Sequence, residues 1–277
     1  METDAGILTG PLGPRGQREP FSIVVSLGVP DCIVRAAEVF CDVVYPRHCI
    51  CCGGAARPIE GRDVGLRFFC KLCETTLECV RTPHCPRCGV PYYGAVSGDR
   101  MCPNCCALCP VFQSGRALLR SQGSARALIH ELKYRGGRYL LTDIRRLLRR
   151  SPAYLDFLRG ALLVPVPLYA CRLRERGYNQ SLLIAECMAA ESQGARVAQV
   201  LKRRVDTRSQ TELNRVQRRR NVRDAFGLSG KGVVIDARFR YVVVDDVVTT
   251  GATLNACCRV LRKAGASQVD VATLGHG

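Results

Sequence analysis

No apolar run in this sequence approaches the roughly 20 residues that a helical membrane span needs. Phe21 to Val29 is apolar but short, and no basic segment or cleavage pattern frames it. A signal peptide is therefore not expected, and a soluble, cytoplasmic protein is. Tryptophan is absent and aromatic residues make up 6% of the chain. Acidic residues are outnumbered, 24 against 41 basic ones, for a formal charge of +17, and only five of the basic residues are lysine. That excess points to a polyanionic partner or to an arginine-rich solvated surface.

The 277 residues suggest two domains, and an apolar fraction of 47% is ample for a core. Of 18 cysteines, 14 lie before residue 110, and most come as C-x2-C pairs. In a cytoplasmic chain such pairs read as metal ligands rather than disulfides. Cys49/Cys52, Cys70/Cys73, Cys85/Cys88 and Cys102/Cys105 supply eight thiolates, enough for two structural zinc ions with four sulfurs each. Sequential pairing gives C-x2-C-x17-C-x2-C and C-x2-C-x13-C-x2-C, both ribbon-like; cross-braced pairing is equally allowed. Cys106/Cys109 compete for the place of the fourth pair, and Cys51 and Cys79 are spare. His48 and His84 each precede a cysteine and read as surface residues.

The stretch that organises the chain is Arg240 to Leu254, RYVVVDDVVTTGATL. Tyr241 to Val244 has the β-branched pattern of a buried parallel strand. Asp245 and Asp246 follow, where ligands bind at the carboxyl end of strands in open α/β sheets. They can accept hydrogen bonds from vicinal ribose hydroxyls. Thr249, Thr250, Gly251, Ala252 and Thr253 then form a hydroxyl-rich turn before a helix over Leu254 to Ala264. Backbone N–H groups at a helix start, with three hydroxyls and a glycine that permits close approach, make a phosphate site.

Elsewhere, residues 1–30 read as a disordered tail, rich in Gly and Pro as far as residue 20. Residues 31–112 hold a helix over Asp31 to Val44 and the double cysteine module, and 113–277 form the second domain. Helices are expected over Arg116 to Arg135, stopped by Gly136-Gly137, and over Tyr139 to Arg149. The latter carries Arg145, Arg146 and Arg149 away from its apolar face. Ala161 to Pro167 reads as a buried strand. It leads to LYACRLRERGYNQ, where Arg172 and Arg176 beside Gly177 can clamp a diphosphate. Ser181 to Glu191 reads as a helix, and Val197 to Leu201, Ala225 to Leu228 and Gln268 to Leu274 as strands. Residues 202–223 carry nine basic and two acidic side chains, including Arg203, Arg204, Arg208, Arg218, Arg219 and Arg220. They suit a mobile lid or a phosphate-backbone groove that reads no sequence. No aromatic lies within the stretch and only Phe226 lies just beyond it, so base stacking there is disfavoured.

Val242 to Leu254 resembles the signature of the type I phosphoribosyltransferases, whose ligand is 5-phosphoribosyl-1-diphosphate (PRPP). The resemblance implies an α/β fold with a mainly parallel sheet flanked by helices. It gives Asp245 and Asp246 to the ribose hydroxyls, residues 249–253 to the 5-phosphate and the loop after the Ala161 to Pro167 strand to the diphosphate, with Mg²⁺ as cofactor. Taken with VFCDVVYPRHCICCG, ALIHELKYRGG, VPVPLYACRLRERGYNQS and TRSQTELNRVQRRRNVRDAF, the chain resembles the ComF-like family across about residues 36 to 275. That wider resemblance implies a zinc-binding N-terminal module, a role in natural transformation, single-stranded DNA as ligand and a helicase partner. Two departures stand out: Glu212 where the family often has Gly, and Ser121 where it often has a nearby Tyr. An active transferase, moving ribose 5-phosphate to an acceptor, is the alternative to a DNA-handling role.

Overall fold

The computed structural model describes residues 47–56, 65–92, 98, 100–205 and 224–277. The chain divides into two units, Met1–Pro46 and Arg47–Gly277, and the described residues belong to the second. The expected tail, the helix expected over Asp31 to Val44, and Arg208, Arg218, Arg219 and Arg220 lie outside the described residues.

Two short helices, α1 (Lys71–Thr75) and α2 (Pro103–Leu108), each start at a cysteine whose sulfur accepts a backbone N–H. Next come β1 (Gly115–Arg120), α3 (Gly123–Tyr134), a 3₁₀ turn (Gly137–Leu140), α4 (Leu141–Arg149) and α5 (Pro152–Leu158). After β2 (Leu162–Pro165) follow α6 (Ala170–Arg176), α7 (Gln180–Glu191) and β3 (Arg196–Val197). β4 (Leu201–Arg203) and β5 (Phe226–Leu228) form an antiparallel hairpin. β6 (Arg240–Val248), α8 (Ala252–Lys263) and β7 (Gln268–His276) close the fold.

The main sheet has the order β1-β7-β6-β2-β3, and all four pairings are parallel. β6 and β7 lie at its centre. Val242, Val243 and Val244 are fully buried because the sheet is covered on both faces. Val242 and Val244 pack with α3, α4, α5 and α7. Tyr241 and Val243 pack with α8 and the hairpin. This is a parallel sheet with helices on both faces, as expected.

Three expectations are corrected. The helix over Arg116 to Arg135 divides into β1 and α3. Ala117, Leu118 and Leu119 are all buried, and such a short unbroken apolar run fits either period. Gly123, at φ +48°, separates the two elements. Val197 to Leu201 is not one strand: β3 ends at Val197 in the main sheet, and Leu201 opens the hairpin. The segment after β2 is not a loop throughout, because Ala170–Arg176 is helical and Gly177, at φ +74°, ends it.

The Gly136-Gly137 stop is present. Gly136 adopts φ +69°, and a Cβ on Gly137 would lie 2.8 Å from the Glu131 carbonyl carbon. Arg145 and Arg149 are exposed on α4 as expected, yet both clasp Glu191 of α7 at 2.6 Å.

Asp143 of α4 is one of the groups that fasten the first cysteine region to that helix, beside Arg146, which donates to Gly65 O, and Arg150, which pairs with Glu74. Asp143 is fully buried and accepts the backbone N–H groups of Arg67 at 2.7 Å and Phe68 at 3.0 Å. Leu66 and Phe69 are buried in the same core as α3 and α4. Replacing Asp143 by Ala leaves two buried donors without an acceptor. The expected cost is about 2–4 kcal/mol in denaturant unfolding; a loss below about 0.5 kcal/mol would show that the contact holds nothing.

Candidate functional site: an acidic pair, a threonine-glycine turn and two cysteine clusters

Asp245 and Asp246 lie within β6, not after its end, since β6 runs on to Val248. Successive strand residues face opposite sides of a sheet, so the two carboxylates meet different partners. Asp246 is buried. Its Oδ1 sits 2.8 Å from Nζ of Lys133, and its Oδ2 accepts from Gln180 Nε2 at 2.9 Å. Asp245 Oδ1 accepts from Ser181 Oγ at 2.8 Å and from the backbone N–H of Asp246 at 2.9 Å. Burial, then the neighbouring Asp246 charge, pushes Asp245 up to about 7, opposed by Ser181 and Lys133. Gln180 Oε1 is buried without a hydrogen-bond partner beside this pair.

Three elements deliver these groups. Lys133 stands in the last turn of α3, where the glycine stop leaves the chain free to turn away. Gln180 and Ser181 open α7, whose N-cap Asn179 accepts the Ser181 N–H at 3.1 Å and donates to Val166 O at 3.1 Å. Tyr178 donates to Leu132 O at 2.6 Å, and the Arg176 guanidinium lies 5.1 Å from the Tyr134 ring centre. Arg176 is thus held on the helix end that presents Lys133. Arg172, further up α6, pairs with Glu175 at 2.9 Å.

Sequence reasoning missed Lys133, Gln180 and Ser181. Each is remote in sequence from the acidic pair, although all three stand inside motifs already singled out.

The turn after β6 is as expected at Gly251, which adopts φ +73° and caps α8. Ala252 and Thr253 are the first residues of the helix, and Thr250 Oγ1 accepts the Ala252 N–H at 3.4 Å. Thr249 and Thr250 line the small gap between this turn and the second cysteine cluster. A Cβ on Gly251 would lie 3.3 Å from Leu108 of α2. Asn255, buried in the first turns of α8, accepts the Val111 N–H at 2.9 Å. The threonine-glycine turn therefore rests on the chain that leaves the second cluster.

The cysteines fall into two sets, Cys49/Cys52/Cys70/Cys73 and Cys85/Cys88/Cys102/Cys105, whose sulfurs lie within 4.8 Å of one another. Pairing is sequential. Cys52 and Cys70 sulfurs are 3.7 Å apart and Cys88 and Cys102 sulfurs 3.6 Å. Tetrahedral coordination at 2.3 Å requires about 3.8 Å between sulfurs, so each set fits one such ion. Cys106 and Cys109 are exposed and outside both sets, which settles the fourth pair as Cys102/Cys105. A hydrogen bond with Cys105, joined by one with His276, pulls Cys88 down to about 4 against the cost of its burial. Burial and the Cys88 charge push Cys102 up to about 11. Either set could hold a metal ion. His48 is exposed, as expected, but His84 is buried at 5% exposure, although each makes the same kind of antiparallel bridge across its knuckle, His48 with Ala55 and His84 with Pro91.

Arg203 and Arg204 sit on the hairpin. The Arg203 guanidinium lies 5.4 Å from the Phe226 ring centre. Arg204 crosses Gly227, where a Cβ would lie 2.2 Å from its Nε.

A phosphoribosyl transferase domain model matches residues 179–275, which carry α7, β6, the turn and α8. A Salmonella typhimurium protein named DNA utilization protein YhgH is 30% identical over 73% of this chain and 88% of its own length. The chain belongs to the ComF-like family. It is also 28% identical to Competence protein F of Haemophilus influenzae, over 81% of this chain and 94% of that one. Competence protein ComFC of Bacillus subtilis matches at 26% over 74% and 82%. No helix among the described residues is long and apolar enough to cross a membrane.

The raised Asp245 carboxyl makes a pH test. The folded chain holds this proton more tightly than the unfolded chain does, so its contribution to stability is full below about pH 4 and is lost as pH rises through about 7. Asp245→Asn keeps the Oδ1 acceptor and removes the charge. The ligand-free variant is expected to melt above the parent at pH 8, by on the order of 2 kcal/mol, and to match it near pH 4. Equal melting points at pH 8 would contradict the buried-charge account.

Proposed function

We propose that this ComF-like protein binds PRPP at the β6–α8 junction and handles incoming single-stranded DNA during natural transformation. The observation that carries the PRPP reading is the buried acidic pair on the central strand, followed at once by a hydroxyl-lined turn at a helix N-terminus. The DNA reading draws on the relatives named for competence and DNA utilization.

Asp245 and Asp246 accept the ribose 2- and 3-hydroxyls, and Lys133 and Gln180 give up Asp246 as they do so. The N–H groups and hydroxyls of residues 249–253 hold the 5-phosphate, aided by the positive end of the twelve-residue α8. Arg172 and Arg176 take the diphosphate. Mg²⁺, if bound with PRPP, would supply charge neutralisation for the diphosphate that Arg172 and Arg176 hold. If transfer occurs, the two carboxylates face the positive charge that grows on the sugar, and the arginines face the charge on the leaving diphosphate. Zinc is the ion proposed for both cysteine sets, with structural roles.

Calorimetric titration of PRPP with Mg²⁺ into zinc-replete protein is expected to show binding that Asp245→Ala/Asp246→Ala weakens at least about 100-fold, the loss of several charge-assisted hydrogen bonds. A parent protein that takes up no PRPP would overturn the reading. Metal analysis is expected to give two zinc ions per chain, and one in Cys85→Ser. A parent with no zinc would contradict the metal assignment.

A further inference from the structure

A second concavity lies away from the acidic pair, along the edge of the sheet. Its volume is about 1110 Å³. One wall is the chain from Leu77 to His84, which links the two cysteine clusters. That chain pairs antiparallel with β1: Val80 donates to Leu118 O at 2.9 Å and Arg120 donates to Glu78 O at 3.0 Å. The opposite wall is Ser151 and the first turns of α5, reaching Phe157.

Four arginines line it (Arg81, Arg116, Arg120 and Arg150), with Glu78 the one carboxylate among the described lining residues; Arg150 is already paired with Glu74, which stands outside the lining. Arg116 is held in place. Its guanidinium lies 5.2 Å from the Phe157 ring centre and donates to Gly115 O at 2.8 Å. A guanidinium has five donors, so donors remain for a ligand. Arg81 is exposed. Arg120 meets Glu78 at 3.3 Å, with the Glu78 side chain 63% exposed. Such a bridge is weak in water and exchanges readily for a phosphate.

The groove exceeds the usual size of a small-molecule pocket, about 300–1,000 Å³. It offers a row of cations with no acidic pair to hold a sugar. That chemistry suits a polymer with repeated phosphates. A duplex presents its phosphates on a rigid convex surface, whereas one strand can lie between two walls. We propose that this groove is a track for the phosphate backbone of single-stranded DNA. It rests on the reading of the protein as a DNA-handling one and names the surface. It also gives the linked cysteine clusters a second task, since residues 77–84 are held at both ends by them.

The test uses full-length, zinc-replete protein and fluorescence anisotropy with a labelled oligo-dT across a salt series. Arg81→Gln/Arg120→Gln is compared with Arg218→Gln/Arg219→Gln/Arg220→Gln and with the parent. The groove variant is expected to lose at least ten-fold in affinity. Its log–log salt slope should fall by about 1.4, two phosphate contacts at about 0.7 each. Zinc content, melting point and PRPP titration should match the parent. If the groove variant keeps the parental slope while the basic-segment variant loses binding, the groove assignment falls and the DNA reading stands. If the parent binds no single-stranded DNA, both fall. Equal or tighter binding of duplex DNA or of oligo-rU of the same length would overturn the single-stranded DNA assignment.

Discussion

Burying two adjacent carboxylates on a central strand is costly unless partners meet them, and much of this molecule is arranged to do so. Lys133 comes from the end of α3, and Gln180 and Ser181 from the start of α7. These helices cover the same face of the sheet, and both must end or begin at the level of Asp245 and Asp246. The glycine stop after α3 and the Asn179 cap of α7 are the local devices that set those levels. Tyr178 ties the two helix ends together through Leu132 O. The arginine helix α6 follows, because Gly177 turns it into that same junction. In the ligand-free protein the lysine and glutamine occupy a carboxylate that the proposed ribose would claim, so ligand binding is an exchange of partners rather than the filling of bare charges.

The other half of the site rests on the chain that leaves the second cysteine cluster. Few apolar side chains lie between the cysteine knuckles, and the sulfurs themselves form the small core of the second cluster, with Val90 and Tyr92 at its border. A module of this kind takes its folding free energy from the ion. The chain leaving it passes Leu108 beneath Gly251 and Val111 beside Asn255 before Phe112 enters the core under α8. The backbone geometry of the threonine-glycine turn is thereby linked to the second cluster, while the first is linked to α4 through Asp143.

What could be read from the residues in order was what is local. The acidic pair, the Thr-Gly turn, the α8 helix and the cysteine pairs each lie within a few positions, so spacing alone exposes their chemistry. Sequential metal pairing could not be read, because crossed pairing satisfies the same spacing; only the packing of α1 and α2 chooses. Arg116 to Arg120 looked helical because a strand buried on both faces shows no period of two, and its apolar residues continue in register with those of the next helix. Lys133 stood inside the ALIHELKYRGG motif, but nothing local marked its role. An isolated lysine in the last turn of a helix is ordinary, and its role depends on a carboxylate more than a hundred residues away. His84 looked like a surface residue because its position before a cysteine pair matches that of His48, which is exposed, and spacing alone does not distinguish the two.

The most direct measurement is hydrogen exchange across residues 245–255, and around Lys133, in zinc-loaded protein with and without PRPP and Mg²⁺. The account expects the amides of residues 249–255 to be strongly slowed by the ligand, as their N–H groups engage the phosphate, with a change at the end of α3 as Lys133 gives up Asp246. Unchanged exchange in both places, at ligand concentrations that saturate binding, would put the ligand elsewhere and contradict the pocket described.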